Sequence, residues 1–207
     1  MVYTIILVMK SNVKQTIITK ALELFSAKGY EGVAVSELTE AAGITKPTLY
    51  YYFGSKEGLF EAICQLFYTQ LNVILTENTE YTPNNESYSE DVYLILTKLT
   101  NAYFSFAREN EPFYRIALSN LFMPSSSAVF KVVEKHHFTQ FDIIDKMFRN
   151  MAKIHGNLKG KSKTFTWSFI GTINSYISLS YSGISGLELN DNTVKELVHQ
   201  FMHGIYA

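Results

Sequence analysis

Residues 34–56, AVSELTEAAGITKPTLYYYFGSK, constrain this chain more than any other stretch. They read as two short helices joined by a sharp turn, followed by the start of a third. Ala41, Ala42 and Gly43 close the first of these helices. Small residues there let a second helix approach, and glycine takes the left-handed conformation that stops a helix. Thr45 is placed to cap the next helix by accepting a backbone N–H. Pro47 falls in the first turn, where its missing N–H has no cost. Leu49 and Phe53, four apart, share a face assigned to the core. That leaves Lys46, Pro47, Thr48, Tyr50, Tyr51 and Tyr52 at the helix start or on its other faces.

A helix presented to the major groove reads base edges with its first residues. Lys46 can donate to a guanine edge or a phosphate, and Thr48 can meet a thymine methyl. Tyrosine hydroxyls suit phosphate oxygens, which position a protein without specifying sequence. Lys56 opens the following helix, with Ser55 as its cap, where backbone N–H groups and the helix dipole favour an anion. The alternative is an ordinary helical hairpin with surface tyrosines. Three consecutive tyrosines between two lysines, beside a tight glycine turn, argue against it.

The run LELFSAKGYEGVAVSELTEAAGITKPTLYYYFGSKEGLFEAI, within residues 13–63, resembles the DNA-binding domain of the TetR family of bacterial transcriptional regulators. Its YYYF-x-SKEGL segment after G-I-T-K is far more specific than a bare helix-turn-helix. The resemblance implies an all-α protein of about nine helices. An N-terminal three-helix helix-turn-helix DNA-binding domain would occupy residues 12–56. A larger C-terminal helical ligand-binding and dimerisation domain would occupy residues 57–207. It further implies a homodimer on a pseudo-palindromic double-stranded operator, released by a small-molecule effector. By motif position, Lys46, Pro47, Thr48, Tyr50, Tyr52 and Lys56 fall where family members contact DNA. Thr45 and Tyr51 complete the expected surface. Three positions depart from the family pattern. Ala34 replaces a hydroxyl cap, Thr39 replaces a small alanine at a helix contact, and Ser36 stands where relatives often carry a charge. The Thr39 hydroxyl can bond back to the Val35 carbonyl.

The net charge of the 207 residues is −1, so whole-protein attraction to nucleic acid is absent and binding must come from a local patch. Residues 1–60 hold six lysines against five glutamates, so placement of Lys46 and Lys56 matters more than bulk charge. A hydrophobic fraction of 47% is enough for a sizeable core. The single cysteine, Cys64, excludes an internal disulfide and fits the reducing bacterial cytoplasm. The apolar run 5–8 is too short for a membrane span and lacks the flanks of a signal peptide. Residues 1–11 are expected to form a disordered arm or to reflect a start assigned before Met9.

Beyond the hairpin, periodicity places helices at about 13–28, 56–77, 91–109, 111–122, 127–155, 164–181 and 192–205, with Asp191 capping the last. Ser168, Gly171, Ser175 and Ser178 line one helix face. With Val194, Leu197, Val198, Phe201 and Ile205 of the next helix they suit a four-helix interface between two copies. The alternative is packing within one subunit. The resemblance also implies a pocket in the body. Phe67, Tyr103, Phe104, Tyr114, Phe122, Phe141, Trp167 and Tyr176 are its candidate walls, although any single aromatic at helical spacing is more often core. Without a run of charge in the body, an uncharged or amphipathic ligand is expected. His199 and His203 share a helix face that could hold a metal. Nothing is spaced to complete such a site, so neither a metal nor another cofactor is expected. Neither a phosphate loop nor a nucleophile elbow is present, so an enzyme is not expected.

Overall fold

The computed structural model describes residues 2–84, 90–121, 123–183 and 186–204, with side chains from residue 12 onward. The described residues are helical, without strands. The helices are α1 (Val2–Lys28), α2 (Val35–Ala41), α3 (Lys46–Phe53), α4 (Lys56–Asn78), α5 (Glu90–Glu109), α6 (Glu111–Asn120), α7 (Ala128–Met151), α8 (Ser162–Ser182) and α9 (Asp191–His203). The chain divides into two compact units. One holds residues 1–68 and 112–134, the other residues 69–111 and 135–207.

In the first unit, Ile17, Ala21 and Phe25 of α1 are buried together with Leu38, Leu49, Leu59, Phe60 and Ile63. Phe25, Tyr30 and Phe60 form a closed aromatic cluster with ring centroids 5.0–5.8 Å apart. Such contacts add specific geometry to the burial of large apolar area. Phe113 of α6 stacks on Phe67 at 4.8 Å and meets Tyr68 edge-on at 5.0 Å. Helix α1 is longer than its apolar stripe predicts. It is already helical at Val2, because neither glycine nor proline interrupts residues 2–28. Among the described residues α4 is the one helix long and apolar enough to cross a membrane. Its apolar side chains Leu59, Phe60, Ile63, Leu71 and Leu75 are buried in the protein instead.

In the second unit α5 packs against both α8 and α9. Its buried face carries Leu96, Leu99, Tyr103, Phe104 and Ala107. Phe201 of α9 joins Phe148, Phe165 and Phe169, at 6.3, 6.2 and 5.1 Å. The cap of α9 is Asn190 rather than Asp191. Its carboxamide oxygen accepts from the backbone N–H of Asn192 and Thr193 at 3.1 and 3.0 Å. Side chains also tie the connections down. The Tyr181 hydroxyl donates to the Ala107 carbonyl at 2.7 Å, and the Arg108 guanidinium donates to the Leu189 carbonyl.

Helix α7 ends at Met151, four residues before the expected His155. The cause is a buried polar network. His155 and Asp91 are 2% and 5% exposed. The His155 Nε2 lies 3.0 Å from Asp91 Oδ2 and 2.8 Å from the Tyr81 hydroxyl oxygen. Tyr81 in turn donates to the same carboxylate. A carboxylate can only accept, so Nε2 carries the proton and shares it between the two oxygens. The backbone N–H groups of Asn84 and Val92 also donate to Asp91, at 3.3 and 2.7 Å. Burial pushes the Asp91 carboxyl upward, but the donors from Tyr81, His155, Asn84 and Val92 outweigh it and hold the group below its ordinary value.

Removing the imidazole by His155→Ala should therefore cost about 1–3 kcal/mol in urea unfolding, because a buried carboxylate loses a donor. The depressed carboxyl contributes stability that is complete above the ordinary carboxylate pKa of about 3.9 and is lost as pH falls through the folded value. Asp91→Asn should accordingly be less stable than the parent at neutral pH. The gap in thermal midpoint should narrow on acidification below about pH 4.

Candidate nucleic-acid interface

The expected DNA-facing surface is built on α3, and α1, α2 and α4 hold it. At the start of α2, Ala34 has no hydroxyl to offer. Glu37 supplies the other half of a capping box: its Oε2 accepts the Ala34 N–H at 2.8 Å, while Oε1 is paired with Lys28. The Lys28 hydrogen bond, followed by the Ala34 N–H, lowers the Glu37 pKa. Thr39 is buried, and its hydroxyl donates to the Ser36 carbonyl at 2.9 Å rather than to Val35. The turn follows. Gly43 has φ +62°, a conformation a side chain would strain, and the Ile44 N–H closes back on the Thr39 carbonyl at 2.9 Å.

Thr45 caps α3, its side chain accepting from the Thr48 N–H at 3.4 Å. The two hydroxyls also bond each other at 2.9 Å, so the Thr48 side chain helps fasten the helix start. Leu49 is fully buried and anchors the helix. Phe53 is half-buried, with the Lys14 ammonium 5.9 Å from its ring centre. Thr45, Lys46, Pro47, Tyr50 and Tyr51 are exposed, the two tyrosines by 45% and 69%. Residues 46, 47, 50 and 51 share a helix face. The structure thus gathers Lys46, Pro47, Tyr50 and Tyr51 into one outward surface. Tyr52 is half-buried, its ring 5.2 Å from Tyr51.

Lys56 is also half-buried, its ammonium 4.2 Å above the Tyr30 ring, a cation–π seat. Burial and the nearby Glu57 and Glu31 raise the Tyr30 pKa, keeping the phenol neutral. Ser55 caps α4, accepting the Gly58 N–H at 2.9 Å. Gly58 matters in its own right. A Cβ there would sit 2.1 Å from the Phe53 carbonyl oxygen, so the close passage from α3 to α4 requires glycine. Neither Tyr30 nor Gly58 stood out by residue chemistry. Their roles arise from neighbours that the chain reversal brings together.

The expected pocket walls scatter. Phe104 and Tyr114 are core residues, 0% and 4% exposed, and Phe67 is half-buried against Phe113. The Tyr103 hydroxyl is buried with no hydrogen-bond partner among the described residues, and burial raises its pKa. Tyr176 is half-buried and donates to the Gln200 side chain at 3.3 Å. Trp167 is 67% exposed, its ring 5.5 Å from Phe141, so it lies on the surface rather than inside. The buried stripe of α8 runs through Thr166, Phe169, Ile173 and Ile177, and Trp167 is out of phase with it. Phe122 lies outside the described residues. In the second unit a groove of about 350 Å³ opens between Ile74 and Asn78 of α4 and Lys98, Ala102 and Phe106 of α5. None of the expected aromatic walls lines it.

The expected interface residues divide in two. Ser168, Gly171, Ser175 and Ser178 are all exposed. Ser175 donates back to the Gly171 carbonyl and Thr172 to the Ser168 carbonyl, both at 2.8 Å. Val194, Leu197 and Val198 are instead 1%, 0% and 0% exposed within the subunit, because α9 turns that stripe inward in the unit where α5 packs against it. Phe201 is half-buried, and Ile205 lies outside the described residues. Among the described residues no three His, Cys, Asp or Glu side chains converge on a metal site.

Comparison with known proteins places this arrangement. The profile of bacterial regulatory proteins, tetR family, matches residues 17–63. The biofilm operon icaADBC HTH-type negative transcriptional regulator IcaR of Staphylococcus aureus (strain Newman) is 36% identical over 78 residues. That stretch is 38% of this chain, and the chain spans only 40% of the relative's length. Two solved structures extend the likeness in fold. The fatty acid degradation regulator FadR from Bacillus halodurans superposes with TM-score 0.77 at 17% identity, covering 93% of this chain and 96% of that one. The FadR of Bacillus subtilis, solved in complex with stearoyl-CoA, gives 0.73 at 18%, covering 92% and 98%.

Alanine in place of a helical glycine usually stabilises by about 0.5–1 kcal/mol. At Gly58 the sign should reverse, with a loss of about 1–3 kcal/mol from overpacking against the Phe53 carbonyl. Thr45→Ala should cost about 0.5–2 kcal/mol through loss of the cap. Both are read by denaturant unfolding. A stabilised Gly58→Ala protein would show that the α3–α4 passage is not as tight as described.

Proposed function

We propose that the chain is a sequence-specific DNA-binding transcriptional regulator of the TetR family, not an enzyme, on the strength of the profile match at residues 17–63 and the IcaR likeness. It acts as a repressor in the bacterial cytoplasm. The observation that carries this reading is the exposed face of α3, where Lys46, Pro47, Tyr50 and Tyr51 stand outward on a helix anchored by buried Leu49. Lys46 reads a base edge or phosphate from the helix start, and the tyrosines hold phosphates. The sign of regulation is supported by the IcaR likeness, since that protein is a negative regulator.

The working form is a homodimer that sets two copies of α3 on the halves of a pseudo-palindromic operator. The exposed small-residue face of α8, with Trp167 and Leu179 also exposed, is the surface offered to the second copy. A small, largely apolar effector releases the DNA. The aromatic interior around Tyr103 and Phe104 supports that ligand class, and the buried Tyr103 hydroxyl is a donor that such a ligand could use. Helix α4 contributes residues to both units and is the element through which the effector acts on the head. A ligand shifts an equilibrium only by its differential affinity for two states, so the free protein already visits the DNA-competent and incompetent arrangements.

A gel-shift titration on the DNA upstream of the chain's own reading frame, at two salt concentrations, tests the reader directly. The parent should bind in a salt-dependent, competitor-resistant manner. Tyr50→Ala should lose most of this binding. Lys46→Ala should weaken it by about 1–3 kcal/mol and relax sequence preference. Retention of full specificity in both variants would remove α3 as the reading element. Once an effector is in hand, operator DNA should weaken its binding by the same factor as the effector weakens DNA binding. Equal effector affinity with and without operator would sink the release mechanism.

A further inference from the structure

The chain has five histidines. His136 and His155 are buried and His137 is half-buried. Only His199 and His203 are exposed, four residues apart on the last turns of α9. Their ring centres lie 4.7 Å apart with the planes inclined at 46°. Neutral imidazoles so placed can turn one nitrogen each toward a common point, at the roughly 2.0–2.1 Å that a bound zinc ion requires.

Three features of α9 make this pair more than a solvated face. Val194, Leu197 and Val198 are buried on the opposite side, which fixes the rotation of the helix and holds both imidazoles outward. Such pre-organisation removes part of the ordering cost of binding. The pair also sits at the C-terminal end of the helix, where unsatisfied carbonyls concentrate negative potential and a cation is favoured. Between the two histidines, the Gln200 side chain is engaged by the Tyr176 hydroxyl at 3.3 Å, so it does not compete for them. Glu196, which precedes His199 by one turn, accepts from Asn192 at 2.8 Å. The protein thus offers two nitrogen ligands and leaves the remaining coordination positions to water.

We propose that His199 and His203 form a two-ligand site for a divalent first-row transition cation. Imidazole ligands select copper, nickel or zinc over magnesium and calcium, in the order Cu²⁺ above Ni²⁺ and Zn²⁺. The ion clips the last two turns of α9 together. Because it binds the folded helix better than the unfolded chain, it raises the thermal midpoint. The site goes beyond the DNA-binding reading and does not depend on it.

The experiment is equilibrium dialysis of the untagged full chain against Zn²⁺ or Cu²⁺ alone, with thermal melts in parallel. The variants are His199→Asn, His203→Asn, both together, and His137→Asn as a control. The exposed positions are chosen so that folding survives, which circular dichroism verifies. The parent should bind one ion per chain. Each single variant should bind on the order of tenfold more weakly, and the double variant should lose both the ion and the rise in midpoint. His137→Asn should match the parent. Undiminished binding in the double variant, absence of binding by the parent, or Mg²⁺ bound as tightly as Zn²⁺ would each overturn the site.

Discussion

An eight-residue helix cannot hold itself together in water, because too few hydrogen bonds repay the cost of nucleating it. Helix α3 is such a helix, and α2 is shorter still at seven residues. The orientation of the proposed reading surface therefore rests entirely on what surrounds it. Leu49 is the one residue of α3 that is fully buried. The Thr45–Thr48 pair fixes the start, and the close passage at Gly58 fixes the exit. Around these lie the long helices α1 and α4, joined by the Phe25–Tyr30–Phe60 cluster. The same tyrosine that completes the cluster carries the Lys56 ammonium on its outer face. One aromatic ring thus serves both packing and charge placement, which links the rigidity of the head to its electrostatics.

The second unit solves a different problem. Its long helices need less help to form, but their connections must be held in place. The Tyr81–Asp91–His155 network ties the segment before α5 to the turn after α7. Its value is geometric. A buried ionic group contributes little net stability against a well-packed apolar substitute, but every donor and acceptor in it dictates one arrangement of the chain. The bonds from Tyr181 to Ala107 and from Arg108 to Leu189 do the same for the far end of α5.

The α2–α3 turn and its flanks were legible in the sequence because their determinants are short-range. Caps, the αL glycine, proline in the first turn and the spacing of Leu49 all act within a few residues, and each kept its expected place. What the sequence hid depends on distant partners. Nothing near His155 announces Asp91, 64 residues away, so the end of α7 was misplaced. Glu37 holds the start of α2 by accepting the Ala34 N–H, with Lys28 from another helix supporting it. Helical periodicity gave the apolar stripe of α9 correctly but could not say what covers it. Val194, Leu197 and Val198 are buried within their own subunit. Trp167 was misread for the same reason, since an aromatic one position out of phase still fits a loose helical pattern.

The hydroxyls of α8 carry a consequence for how its surface meets water. Ser175 and Thr172 bond back to carbonyls one turn earlier, and Ser182 donates to the Leu179 carbonyl at 2.7 Å. A hydroxyl turned back on its own backbone has no proton left to give outward. Ser175 and Thr172 therefore meet the solvent through hydroxyl oxygens that accept but do not donate, beside the exposed backbone of Gly171. Such a face is easier to dry than its hydropathy indicates, and its wetting is set by rotamers rather than by residue names.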